Sequence, residues 1–278
     1  MASITDCVVE GLKYPFNDIK KLLACGVLFA LTGALSAFIS IKSLDIFRVL
    51  MQIIENNNST VPQIPYSQLP QGDIYIIIAL HIISFIVCLF ILGYQYDVVK
   101  FSIDKKSDLP GFNDIQGMFV KGVKYFIVIL IYSILPVILF AGGVMLAGNS
   151  SIFSTVILIA GLLFIIAYFL MIMGLNNMIA YDNLKKAFDL KEITANITNL
   201  GWGKYIGIII FTMIVMMIIS AAVNFMLSFI IVVFVALINN QAVTISFIIS
   251  IIEGLFIYSY ITVSLNRVCG SIYRESVK

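Results

Sequence analysis

The sequence contains few of the residues from which soluble enzymes build their active sites. Only 12% of its 278 residues are charged, and it has one histidine and four cysteines. Soluble domains contain roughly 25% charged residues, so this composition excludes an ordinary soluble domain. The single histidine, His81, cannot form the paired-histidine centre of a zinc enzyme or of an intramembrane metalloprotease. We therefore expect no metal site.

Other signatures of cofactor chemistry are also missing. There is no Cys-x-x-Cys pair and no Gly-x-x-x-x-Gly-Lys-Ser/Thr loop that would hold nucleotide phosphates. Four aspartates share one loop, but their spacing does not gather them on a helix, and nearby lysines balance their charge: Asp97, Asp104, Asp108 and Asp114. The sequence therefore predicts a protein that is not an enzyme and has neither a cofactor nor a nucleic-acid partner.

Most residues of the chain are apolar. Its residues are 61% hydrophobic, and its mean hydropathy is +1.06. A helix crosses the hydrocarbon core of a membrane with about 20 residues. Runs of that length occur at residues 22–41, 74–92, 125–146, 152–175, 205–238 and 242–265. We therefore predict an all-α integral membrane protein with six transmembrane helices.

The fifth of these runs has 34 uncharged residues, which is too long for one upright helix and short for two. The distribution of charge favours one helix, which we expect to tilt or break near residues 220–224. With six spans, fifteen lysines and arginines lie on one side of the membrane, and only Lys42 and Arg48 lie on the other. Because basic residues stay cytoplasmic, we predict a multi-pass protein of the cell (plasma) membrane with cytoplasmic N- and C-termini.

This topology places three asparagines of Asn-x-Ser/Thr triplets outside the cell. They are Asn57, Asn58 and Asn149. Such triplets accept N-linked glycans in exported loops, but chance occurrence in an asparagine-rich chain explains them as well.

Two segments that lead into spans resemble each other. Residues 15–19 and 110–115 share a Pro…Phe-Asn-Asp-Ile opening, and a weaker copy begins near Ile193. The pattern predicts one membrane domain, residues 1–278, built from three parallel repeats at about 10–95, 108–176 and 189–266. Each repeat would hold an amphipathic helix in the membrane interface followed by two spans. Before the third span, apolar residues recur at helical spacing from Ile115, and Lys121 and Lys124 lie on the opposite face. The alternative is that membrane-entry segments resemble each other through composition alone.

Several short motifs occur along the first half of the chain: Tyr14-Pro15-Phe16 with Asp18, Gly93-Tyr94, Leu109-Pro110 with Phe112 and Asp114, Gly122, and Tyr132 with Pro136. Together they resemble an archaeal family of multi-pass membrane proteins that is frequent in methanogens and known only as a domain of unknown function. The family's proline pair in the third span is single here, since Val137 follows Pro136. The chain is more remotely similar to the membrane portion of bacterial glycerophosphodiester phosphodiesterases, which implies a lipid-facing module without catalysis.

Two classes of function fit these observations. The first is a non-enzymatic membrane module that interacts with the lipid bilayer, with anionic lipid at its basic cytoplasmic loops, or with an unknown protein partner. The second is a small transporter or channel, which would carry polar and ionisable side chains at the middle of the membrane.

The candidate site is an intramembrane polar group centred on Glu253. This residue is the only acid inside a predicted span, where insertion costs about 2.5 to 3.5 kcal/mol, so it should face the bundle interior. The other candidates are His81, Asn224, Ser250 and Tyr260. Ser250 and Tyr260 recur with Glu253 at three- and four-residue steps, in a series that runs from Ser246 to Arg267 and predicts one polar stripe along the sixth helix. We expect the carboxyl to bond to His81 or Asn224, and both a structural hydrogen bond and a role in moving a proton or cation stay open.

Overall fold

A computed structural model describes residues 3–56, 69–145, 150–237 and 242–277. Within these ranges the chain is helical and contains no β-strand. The asparagines of the three predicted glycosylation triplets, at positions 57, 58 and 149, lie outside the described residues.

Six helical stretches are long and apolar enough to cross a membrane. Five of them are single helices: α2 (Ile19–Asn56), α3 (Gln71–Ile103), α4 (Ile115–Met145), α5 (Ser150–Tyr181) and α7 (Trp202–Leu237). The sixth joins α8 (Ala242–Ile252) and α9 (Ser259–Ser276) through a π-helical segment, Glu253–Tyr258. The prediction of an all-α membrane protein with six spans is confirmed.

Two short amphipathic helices precede the first and fifth spans. The first, α1 (Ile4–Lys13), begins with a capping box between Ser3 and Asp6, in which each side chain accepts a hydrogen bond from the other residue's backbone N–H. The second, α6 (Leu190–Leu200), starts at the Asp189 cap and ends at Gly201, whose φ of 93° is a conformation that favours glycine. Both helices bury one apolar face.

The amphipathic helix predicted in front of the third span is not a separate element. Helix α4 begins at Ile115 and continues without interruption through the span. The two lysines that suggested a solvated face form ion pairs instead, Lys121 with Asp97 at 2.7 Å and Lys124 with Asp182 at 3.0 Å. Lysines that are neutralised by ion pairs are compatible with the end of a membrane helix. The amphipathic segment is therefore the first part of the third span and not a separate helix. The three-repeat relation stays a prediction.

The fifth apolar run also differs from expectation in one respect. Helix α7 is continuous through residues 220–224, so of the two predicted alternatives the break is not present there, and the tilt stays a prediction. The Asn224 amide donates to the Ser220 carbonyl oxygen at 2.8 Å. This bond to the carbonyl four residues earlier satisfies the polar side chain within the helix, and therefore no break is needed.

The chain forms two compact units. Unit 1 consists of Met1–Leu22, Leu92–Ile218 and Tyr260–Lys278, and unit 2 consists of Leu23–Ile91 and Ile219–Ser259. The core of unit 1 includes side chains from α1, α5, α6, α7 and α9, among them Val8, Met173, Ile193, Tyr205 and Ile272. Unit 2 is built around the contact between α2 and the helix that contains Glu253.

Candidate functional site

Unit 2 contains a pocket beside the intramembrane carboxylate, which we name the Glu253 pocket. Its volume is about 240 Å³. Four of its lining residues come from α2 and three from the helix that faces α2: Phe29, Thr32, Gly33, Ser36, Ser250, Glu253 and Tyr258. The side chain of Glu253 is half-buried there. The pocket therefore combines one acid with hydroxyl groups on both walls.

Two glycines bring the backbones of these helices into contact. A Cβ atom added at Gly254 would lie 2.6 Å from backbone atoms of Phe29 and Ala30. A Cβ atom added at Gly33 would lie 2.5 Å from the carbonyl oxygen of Ser250. Only glycine permits so close an approach, which is a common device in packed membrane helices.

The π-helical segment begins at Glu253 itself. In a π-helix the backbone hydrogen bonds connect residues five apart. The three- and four-residue spacing that places side chains on one face of an α-helix therefore does not hold between Glu253 and Tyr260. The predicted polar stripe along the whole helix is therefore interrupted. Single π turns inside α-helices are frequent at functional sites.

The structure brings together only part of the predicted site. Ser250 and Glu253 share the pocket. His81 is exposed, and its Nδ1 lies 2.8 Å from the carbonyl oxygen of Ile77. Asn224 likewise bonds within its own helix, and the Tyr260 hydroxyl donates to the Leu12 carbonyl of unit 1 at 3.0 Å.

The expected hydrogen bond from Glu253 to His81 or Asn224 is not among the contacts of the described residues. The physical reason is that both candidate partners use the carbonyl four residues earlier in their own helices. Sequence reasoning instead missed Thr32 and Ser36, which are spaced i, i+4 around Gly33 on the first span. Small and hydroxyl residues at that spacing are typical of a helix-packing face.

Unit 1 contains a second, more apolar space, which we name the unit 1 cavity. Its volume is about 210 Å³, and α3, α4, α5, α7 and α9 all contribute to its walls. Most of its lining is aliphatic or aromatic, and it includes Tyr125, Ile129, Met171, Leu175, Ile209 and Met213. Of the three polar lining side chains Gln95, Thr212 and Asn266, the last two bond to carbonyls of their own helices. The cavity is therefore suited to an apolar guest.

The depth of the unit 1 cavity follows from the helix bounds. Leu175 lies six residues before the end of α5 at Tyr181, and Gln95 lies eight residues before the end of α3 at Ile103. At 1.5 Å per residue these lining residues are about 9 to 12 Å from the helix ends. Leu92, Tyr125 and Leu175 of the cavity lining are also the terminal residues of their predicted spans, so the cavity lies at the edge of the predicted hydrocarbon core.

The loops and short helices at this end of unit 1, and the first turns of α2 and α7, carry lysines without acidic partners among the described residues. Seven form no ion pair with any residue that the structure describes: Lys13, Lys20, Lys105, Lys106, Lys185, Lys191 and Lys204. Most of the other lysines in unit 1 are neutralised, as in the pair of Lys186 with Glu192 at 2.6 Å. The seven lysines therefore give this end of unit 1 a positive surface.

An ion-pair network connects α1 with α9. The carboxylate of Glu10 accepts hydrogen bonds from Arg267 Nε at 2.9 Å and from Arg274 Nη2 at 2.7 Å. Arg267 also lies over the Tyr14 ring at 4.2 Å, and only 5% of this arginine is exposed. Burial raises the pKa of the Glu10 carboxyl, but the two arginines lower it by more, so the pKa is below its ordinary value of 4.5. Sequence reasoning did not single out Glu10.

The helices and their apolar faces define the class of the molecule, which is a multi-pass, all-helical membrane protein. The family model described as "Protein of unknown function (DUF4013)" matches residues 76–252, which is more than half of the chain. The chain therefore belongs to the DUF4013 family. No curated protein and no solved structure matches it.

Proposed function

We propose that the protein is a non-enzymatic membrane module that binds an anionic lipid through unit 1. The observation that carries this proposal is the position of the unit 1 cavity, which lies at the edge of the predicted spans, on the side where seven lysines form no ion pair with a described residue. An acyl chain would enter the cavity, and the phosphate of the headgroup would meet the lysines. The membrane is proposed to be the plasma membrane of an archaeal cell, with the lysine-rich face and both termini cytoplasmic.

The size of the unit 1 cavity favours a segment of a lipid acyl chain as its guest over a whole soluble molecule. An engineered apolar cavity of about 150 Å³ in another protein stays dry and holds one benzene ring. The unit 1 cavity, at about 210 Å³, is somewhat larger, whereas pockets for drug-sized molecules measure roughly 300 to 1,000 Å³. A segment of acyl chain is a guest of suitable size and polarity.

The charge of the loops favours an anionic headgroup. Each lysine close to an anionic membrane surface contributes about 1 kcal/mol of attraction, and this contribution weakens as salt screens it. Paired lysines contribute less because their charge is already neutralised. The preference for anionic over zwitterionic lipid should therefore depend on the unpaired lysines and should fall with ionic strength.

The proposal is tested by the thermal stability of the purified protein in detergent with added phosphatidylglycerol or phosphatidylcholine. A ligand that binds the folded state raises the melting temperature, so phosphatidylglycerol should give the larger increase at low salt. Met213 lines the cavity, so the larger side chain of Met213→Trp should take up part of its volume and reduce this increase. Met217→Trp is the matched control, because Met217 lies one turn away on the same helix and is 64% exposed. Equal responses to both lipids, or equal responses of both variants, would contradict the proposal.

A transport or channel function is the second candidate. It requires an ionisable group beside a cavity within the membrane, and Glu253 is such a group.

A further inference from the structure

The Glu253 pocket has the chemistry of a cation site. Its single acid provides one negative charge, and hydroxyl oxygens surround it on both walls. The carboxylate of Glu253 forms no hydrogen bond or ion pair with the residues that the structure describes. A carboxylate without a partner is costly inside a membrane, so it either binds a proton or is neutralised by a cation.

The Thr32 hydroxyl of the pocket can accept positive charge. The Thr32 hydroxyl donates its proton to the Phe29 carbonyl oxygen at 2.7 Å. A hydroxyl has one donor and two lone pairs, so the part of Thr32 that stays free is an acceptor. The close contact at Gly33 also brings the Ser250 carbonyl oxygen to the wall of α2. Oxygen atoms of these kinds are the ligands that hard cations prefer.

The charge and the volume of the pocket limit the ion. Divalent cations are normally held by several carboxylates, whereas here one acid balances one positive charge. A water molecule takes about 30 Å³ in the liquid, so a pocket of about 240 Å³ can hold a small ion that keeps several waters. We propose that the Glu253 pocket binds a monovalent inorganic cation such as sodium, in competition with a proton on the same carboxylate.

The location of the pocket is compatible with ion exchange inside the membrane. Glu253 lies eleven residues from the start of α8 at Ala242, which is about 16 Å along the helix and close to half of a hydrocarbon core of about 30 Å. The α2 residues that line the pocket carry no titratable group. The titratable residues in the pocket lining are Glu253 and Tyr258. The competition between proton and cation therefore depends on a single carboxyl group. This proposal is independent of lipid binding in unit 1.

The test measures the melting temperature of the purified full chain in nanodiscs with sodium chloride or choline chloride at equal ionic strength, over a series of pH values. Sodium should raise the melting temperature where the carboxyl is ionised, and choline should not. As the pH falls below the pKa of the carboxyl, the half-saturating sodium concentration should rise about tenfold per pH unit, because one proton competes for one site.

Two substitutions give a matched comparison. Glu253→Gln should abolish the sodium response, whereas Glu55→Gln, which removes an exposed acid from the same unit, should retain it. If Glu253→Gln does not fold, Thr32→Val keeps the side-chain shape and should raise the half-saturating concentration about threefold to tenfold through loss of one ligand. The proposal is wrong if sodium and choline act alike, if the response is independent of pH, or if Glu253→Gln or Thr32→Val responds like the wild type.

Discussion

The substitution Gly254→Ala tests whether backbone contact holds α2 against the Glu253 helix. The added Cβ would lie 2.6 Å from backbone atoms of Phe29 and Ala30, where ordinary contacts begin at 3.4 Å. The helices would therefore have to separate by about 0.8 Å, which is 3.4 minus 2.6. Overpacking of this kind typically costs about 1 to 3 kcal/mol. The same substitution also improves helix propensity by about 1 kcal/mol, which has to be removed from the comparison.

The control variant Gly161→Ala corrects for this gain in helix propensity. Gly161 lies in α5, and a Cβ atom there would meet nothing within 4 Å, so this control gains propensity without a clash. The two variants should then differ in free energy of unfolding by about 1 to 3 kcal/mol, with Gly254→Ala the less stable. Loss of helical circular dichroism during titration with a denaturing detergent measures this difference. Equal stability of the two variants would refute the close backbone contact.

Two further predictions concern charge and topology. Because the folded pKa of Glu10 is lowered, its stabilisation is full above about pH 4.5 and is lost as the pH falls through the folded pKa. Glu10→Gln should thus be less stable than the wild type near neutral pH, and the difference should shrink in acid by about 1.4 kcal/mol for each unit by which the folded pKa is lowered. Thermal unfolding over a series of pH values measures this difference, and a pH-independent difference would contradict the prediction. In a background without native cysteines, a cysteine placed at Arg48 should react with an impermeant thiol reagent on intact cells, and cysteines at Ser107 or Asn183 should not. Labelling at Ser107 from outside would overturn the predicted orientation.

Hydropathy was sufficient to predict the six spans because each apolar run must satisfy its own backbone within the membrane. Charge counting also predicted that residues 205–238 form one helix, and α7 has this extent to within a few residues. Local patterns were less reliable at the helix ends. The apolar stripe after Ile115 resembles that of a surface helix. However, Lys121 pairs with Asp97 of α3 and Lys124 pairs with Asp182 just after α5, so the segment is the beginning of α4. Such pairing is tertiary and is not visible in one segment.

The candidate site was predicted in part for a similar reason. A lone acid in a span is conspicuous, so Glu253 was found directly, and Ser250 followed from helical spacing. Thr32 and Ser36 line the same pocket because Gly33 and Gly254 allow two backbones to meet, and no single-helix pattern encodes which glycines face each other. The π-helical segment at Glu253 changes which residues share a face, and α-helical periodicity cannot anticipate it.

The bond between Glu10 and Arg267 has a consequence for biosynthesis. The two residues are separated by 257 positions in the sequence. At roughly 5 to 20 residues per second, a ribosome takes about 13 to 51 s to make that length of chain. During this time α1 exists without α9, and the Glu10 carboxylate has neither arginine. Unit 1 can therefore close only after α9 has been synthesised, and an insertase or chaperone that covers the apolar face of α1 would have this interval in which to act.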